Sequence, residues 1–140
     1  MLRVVLDTNV LVAAVRSRRG ASFALLSRVG TQAFEIALSV PLVLEYEEAL
    51  LRQLARTDLG RSDVEAIIDH LCSVGTHHEI FYLWRPFLPD PEDDMMLELA
   101  VAARCETIVT FNKRDFDGSG SFGIRVLAPA ELLREIGAIP

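Results

Sequence analysis

The chain opens on a short apolar run, Leu2 to Leu6 with two adjacent valines, that stops at Asp7-Thr8-Asn9. A run without polar alternation offers no face to water, so it reads as a strand buried on both sides. Burial on both sides calls for a parallel sheet with helices above and below it. That constraint organises the reading of everything downstream.

Helical and strand patterns alternate behind it. Val10 to Val15 reads as helix, followed by the polar break Arg16-Ser17-Arg18-Arg19-Gly20. Ala21 to Val29 is a second helical stretch ending near Gly30, and Phe34 to Ser39 is a second strand. Pro41 suits the first turn of a helix that runs to about Arg56. Ser62 and Glu65 have capping-box spacing, and Val64, Ile67, Ile68 and Leu71 carry a helical stripe to about Val74. His78 to Leu83 reads as a short strand. Asp90-Pro91 opens a helix to Arg104 that is apolar on nearly all sides and therefore buried. Glu106 to Thr110 is a strand, Asn112 to Gly123 an irregular polar loop, Ile124 to Leu127 a short strand, and Pro129 to Ile136 a closing helix. The expected fold class is α/β, a three-layer α/β/α sandwich with a mainly parallel central sheet. No linker, repeat or low-complexity tract interrupts it, so residues 1–140 are expected to form one domain.

Composition narrows the function. With 51% hydrophobic residues the chain has enough apolar material for a core, and no apolar run approaches the ~20 residues that span a bilayer. Asp7 comes too early for a secretory signal, so the expected location is cytoplasmic, with no membrane partner. Fourteen basic against 20 acidic residues give a net charge of −6, which repels a phosphate backbone at long range. Any nucleic-acid chemistry then needs local basic patches or a metal ion. Thirteen of the 14 bases are Arg, Lys113 being the one Lys. Cys72 and Cys105 are isolated and read as reduced thiols.

In open parallel sheets the binding crevice lies beyond the carboxyl ends of the strands, near a switch in strand order. Asp7 follows the first strand directly. Glu45 lies in the first turns of the helix after the second strand, Asp94 early in the buried helix, and Asp115 in the loop after Glu106–Thr110. Four acids far apart in sequence are thus expected on one rim. Converged carboxylates raise one another's pKa unless a cation neutralises them, and oxygen-only donors favour Mg²⁺ or Mn²⁺.

The motifs Asp7-Thr8-Asn9-Val10-Leu11, Glu45-Tyr46, Asp94-Met95-Met96-Leu97-Glu98-Leu99-Ala100 and Thr110-Phe111-Asn112-Lys113-Arg114-Asp115-Phe116 resemble, in this order, those of the PIN domain family. That fold includes metal-dependent ribonucleases, among them the VapC-type toxins of toxin–antitoxin pairs. The resemblance covers essentially the whole chain. It implies an endoribonuclease that uses Mg²⁺ or Mn²⁺, forms a homodimer or higher oligomer, and is held inactive by an antitoxin protein. Asp7, Glu45, Asp94 and Asp115 would be catalytic and hold one or two ions, with Asn112 as a neutral ligand where many members carry an acid.

Each residue also has a plainer reading. Asp7 can cap the helix that follows it. Glu45, Glu47 and Glu48 can form a solvated face, with Glu48 pairing Arg52 at i,i+4, and only the resemblance selects Glu45. Asp90, Glu92, Asp93 and Asp94 crowd a helix N-terminus that favours acids anyway. Asp94 stands out because Leu97, Val101 and the alanines require that helix to pack on the sheet. Thr110 can bond the acids, and Asn112 and Asp115 can be loop formers. His77 and His78 lack metal-ligand spacing, His70 is expected to face solvent or a neighbouring carboxylate, and Tyr82 and Trp84 are assigned no role beyond packing, though either could stack a base. Arg16, Arg18 and Arg19 form the one basic cluster, Arg52 and Arg56 share a helix face with Glu45, and Lys113 and Arg114 flank the last acid. A phosphatase is disfavoured because Asp7-Thr8-Asn9 lacks the D-x-D pattern. The alternative is a catalytically weak PIN-like module that binds RNA or a protein.

Overall fold

The computed structural model describes residues 1–80 and 88–140. Among them, β1 (Arg3–Leu6), β2 (Glu35–Leu38), β3 (Thr76–His77), β4 (Thr107–Val109) and β5 (Arg125–Leu127) form a sheet in the order β3-β2-β1-β4-β5. Every neighbouring pair is parallel. The helices are α1 (Thr8–Arg16), α2 (Ala21–Leu26), α3 (Val40–Leu51), α4 (Arg61–Val74), α5 (Pro91–Ala102) and α6 (Pro129–Glu135). The arrangement is the expected α/β/α sandwich.

Why β1 has no polar face is now visible. It is the central strand, with Val4 in register with Ile36 on one side and Thr107 on the other. Val4, Val5 and Leu6 are each at most 1% exposed. The chain leaves β1 towards β2 and β3 and later crosses to β4 and β5, so the order switches between β1 and β4. α5 packs against β1, β2 and β4, burying Met96, Leu97, Leu99 and Ala100. Truncating Leu97 to Ala is worth about 2–5 kcal/mol on that scale of burial. Among the described residues no helix is long and apolar enough to cross a membrane.

Local chemistry sets the helix starts. Asp90 caps α5 through its carboxylate, which accepts from the Glu92 amide at 2.9 Å, and Pro91 opens the first turn as expected. Ser39 caps α3, its hydroxyl oxygen accepting from the Leu42 amide at 3.3 Å, so this helix begins at Val40 with Pro41 inside its first turn.

Several boundaries depart from expectation. α3 stops at Leu51, and a 3₁₀ turn (Leu54–Arg56) follows, because Gln53 becomes a junction. Its carbonyl accepts from the Thr57 hydroxyl at 2.8 Å and its side chain from Arg16 Nε at 2.7 Å. α4 begins at Arg61 rather than after Ser62, since Asp63, not Glu65, closes back on the Gly60 amide at 2.8 Å. α2 ends at Leu26, where the Ser27 hydroxyl donates to the Phe23 carbonyl at 2.6 Å.

The third strand is Thr76–His77 instead of His78 to Leu83. His78 to Ile80 are not strand, and residues 81–83 lie outside the described residues. Gly75 allows that early pairing: a Cβ there would stand 2.6 Å from Leu38 Cδ1 and 2.9 Å from the Leu71 carbonyl. The loop after β4 is more ordered than its composition suggests, holding 3₁₀ turns at Lys113–Phe116 and Ser119–Phe122.

Candidate active site

The acids meet where the strand order switches. Asp7 ends β1 and begins α1, with its amide donating to the Val109 carbonyl of β4 at 2.8 Å. Its carboxylate accepts from the Thr110 hydroxyl at 2.6 Å, so the ends of the two strands share a side-chain bond as well. Asp7 is 7% exposed. Burial pushes its pKa up, hydrogen bonding from Thr110 and from the amides at the start of α1 pulls against that, and Asp115 repels it further.

Asn9 locks the same corner. Its amide nitrogen donates to Thr110 Oγ1 at 3.3 Å, and its carbonyl oxygen accepts from the Phe111 amide at 3.4 Å. The Asn112 amide also donates to Thr110 Oγ1, at 3.0 Å. One hydroxyl therefore organises Asp7, Asn9 and the turn that carries Asp115.

Glu45 arrives from the second turn of α3 and accepts a hydrogen bond from the Thr8 hydroxyl. Its pKa is raised to about 7, chiefly by burial, with the carboxyl of Glu92 and the charge of Asp7 adding to it. Tyr46, the next residue, is fully buried and donates its hydroxyl to the Leu6 carbonyl. Asp93 comes from the first turn of α5, is 8% exposed, and is also raised to about 7. Burial is again the main cause, followed by Asp7, Asp90, Asp115 and Glu45. Asp7, Glu45, Glu92 and Asp93 line one cavity of about 170 Å³, which Thr8, Glu48, Arg52 and Met96 also border.

Asp94, expected in this cluster, is placed elsewhere. Its carboxylate accepts from the Leu88 amide at 2.7 Å and is buried, so it anchors the segment leading into α5. The helical stripe through Leu97 and Val101 correctly indicates burial for Asp94, but Asp94 is not among the residues that line the cavity. Asp93 shares the stripe of Met96 and Ala100, and that phase was the available signal.

Asp115 sits on the exposed rim in the Lys113–Phe116 turn, yet its charge is felt by both Asp7 and Asp93. Asn112 is exposed, and its backbone carbonyl accepts from the Asp115 amide at 3.0 Å in the turn that carries Asp115. Glu98 is buried within α5. Glu92 and Thr8 were not singled out by the sequence, since a helix-start acid and a lone Thr carry no signal of their own.

The basic residues divide. Arg16, Arg18 and Arg56 line a larger groove of about 970 Å³ bordered by α1, α2 and α4, which none of the cavity acids enters. Size therefore does not pick out the site here; the buried, mutually repelling acids do. Lys113 is ion-paired to Glu131 across the exposed surface. Other catalytic groups are unpromising. Cys72 and Cys105 are free, and burial pushes the Cys105 thiol up to about 12, so it is no thiolate nucleophile. The His70 ring bonds the Val29 carbonyl at 3.2 Å, and the His77 ring the Cys72 carbonyl at 2.7 Å.

Fold and site together define a class: a parallel α/β domain with a carboxylate cleft at its topological switch point. A family model described as PIN domain matches residues 3–114, and the chain belongs to the PIN domain family. Among solved structures it is similar to VapBC2 from Rickettsia felis, crystallised bound to a DNA fragment from its promoter. That match has a TM-score of 0.59 at 14% identity and covers 91% of this chain and 98% of the other, a likeness of fold. None of the curated proteins matches the sequence.

Proposed function

We propose that the chain is a Mg²⁺- or Mn²⁺-dependent endoribonuclease, the toxin partner of a toxin–antitoxin pair. The observation that carries this reading is the gathering of Asp7, Glu45 and Asp93 on one small cavity with Glu45 and Asp93 raised to about 7. Carboxylates driven towards protonation by burial and mutual repulsion are those that a divalent cation stabilises most.

The donor set suits such an ion in chemistry, being all oxygen. Among the described residues no three His, Cys, Asp or Glu side chains stand on a single ion position. Asp7, Glu45 and Asp93 would hold the ion through few direct bonds, as suits Mg²⁺, which keeps several waters. Asp115 adds negative charge from the rim. When bound, the ion supplies a water of lowered pKa and positive charge for the phosphate. The protein's own part is orientation: Thr110 fixes the Asp7 carboxylate, Thr8 fixes that of Glu45, and Asn9 holds the β4 corner against α1.

An antitoxin partner is supported by the VapBC2 complex that shares this fold. A homodimer or higher oligomer is supported by Val40 and Leu44, one turn apart on α3 and 73% and 60% exposed. The second reading, a catalytically weak binding module, draws on neutral Asn112 and on the carboxylates' incomplete convergence.

The test is cleavage of single-stranded RNA by the purified chain with Mn²⁺, Mg²⁺ or excess EDTA. Cleavage restored by metal and abolished by chelator is expected. Undiminished cleavage in EDTA would sink the metal mechanism, and RNA binding without cleavage at any Mn²⁺ concentration would favour the binding module.

A further inference from the structure

The acid cavity presents a problem for a polyanionic substrate. Asp7, Glu45, Glu48, Glu92 and Asp93 border it, and among the described lining residues the one cation is Arg52. Arg52 caps the C-terminus of α3 seven residues after Glu45, two helical turns along the same face, or about 10 Å down the axis. In the structure its guanidinium is paired to Glu48 one turn back. Both side chains are about two-thirds exposed, at 67% and 68%, and exposed pairs of this kind contribute little to folding. The guanidinium is therefore held at the cavity mouth by a partner it can exchange at small cost. A planar fork of N–H donors matches a phosphate as well as it matches a carboxylate.

We infer that Arg52 is a substrate-binding residue that grips an RNA phosphate neighbouring the scissile one, and that Glu48 is its resident competitor. The inference rests on the ribonuclease reading above. It assigns opposite roles to the two halves of an ion pair, which a merely structural pair would not have. Removing Arg52 deprives the RNA of a contact, whereas removing the charge of Glu48 releases the guanidinium to the RNA.

The experiment is steady-state cleavage of a fluorescently labelled single-stranded RNA oligonucleotide in Mn²⁺, over a range of monovalent salt. Arg52→Ala is expected to raise KM about tenfold, the worth of one charge-assisted contact, with kcat within about twofold of the parent. Its plot of log kcat/KM against log salt should be shallower by about 0.7, one phosphate contact on a single strand. Arg52→Lys should restore the salt slope, because the charge remains, but only part of the affinity. Glu48→Gln should lower KM, and the double variant should behave as Arg52→Ala does. Thermal midpoints close to the parent would show that both variants fold.

Arg52→Ala with unchanged KM and salt slope, in a background where the parent cleaves, overturns this inference alone. So does a Glu48→Gln variant whose KM rises as far as that of Arg52→Ala, since the pair would then only brace α3. A parent chain with no metal-dependent cleavage overturns the ribonuclease reading and this inference with it.

Discussion

The hydroxyl of Tyr46 donates to the carbonyl of Leu6, and each of these residues adjoins an acid: Glu45 on one side and Asp7 on the other. The bond is a strut between α3 and the end of β1 that sets the spacing of two carboxylates without touching either. Tyr46→Phe keeps the packing and removes the strut. It should cost about 1 kcal/mol, or a fall of about 3 °C in Tm, and should raise the metal concentration for half-maximal rate. A melting curve and a Mn²⁺ titration check both parts. An unchanged titration would leave Tyr46 a packing residue.

Adjacent acids on α5 should fail in different ways. Asp93→Asn should keep its fold and lose about 100-fold or more in metal-dependent cleavage, because Asp93 faces the cavity. Asp94→Ala strands the buried Leu88 amide and should lose about 1–3 kcal/mol of stability, while the folded fraction keeps its rate. Chemical denaturation beside specific activity separates the two. The reverse pattern would return the catalytic role to Asp94.

Stability of the metal-free chain should fall as pH rises from about 4 to about 7. Glu45 and Asp93 have folded-state pKa values raised to about 7, so over this interval the folded chain binds more protons than the unfolded one. Their favourable contribution is complete below their ordinary pKa values and is lost as pH rises through about 7. Mn²⁺ should reverse the trend, stabilising more at pH 7.5 than at pH 5.5, where protons compete for its ligands. Melting curves with Mn²⁺ or EDTA across that range provide the check. A chelated protein that grows steadily more stable up to pH 7.5 would contradict the arrangement of acids.

Asp115 and Asn112 should not be equivalent. Asp115→Asn removes a charge that repels Asp7 and Asp93, so the acid limb of the rate profile should move to lower pH while the metal requirement rises. Asn112→Asp should lower that requirement by adding charge beside the rim. Rates across a Mn²⁺ titration at several pH values decide it. If Asp115→Asn matches the parent throughout, Asp115 is only a turn former.

What the sequence displayed and what it concealed follow from periodicity. The Leu2–Leu6 run announced a central parallel strand because both its faces are covered, and Asp90-Pro91 announced α5 because capping and proline geometry are local. Asp7, at a strand end, needed no rotational phase to be placed. Asp93 and Asp94 did: one residue turns a helix by about 100°, enough to move a side chain off the cavity lining. Thr76–His77 was missed because two residues display no alternation. The Thr110 hydroxyl that joins Asp7, Asn9 and Asn112 depends on a contact spanning 103 positions, which no local pattern encodes.

That same span orders the site in time during synthesis. Asp7 leaves the ribosome ahead of the strand that covers the β4 side of β1, of its Thr110 partner and of the Asp115 turn, all of which come about a hundred residues later. Parallel pairing with β4 cannot begin until Thr107 to Val109 have emerged, several seconds behind β1 at ordinary elongation rates of about 5–20 residues per second. The growing chain therefore carries its first carboxylate long before it carries a cleft. For the ribonuclease proposed above, this means that a nascent copy is harmless to the RNA beside it until the last third of the sequence has been made.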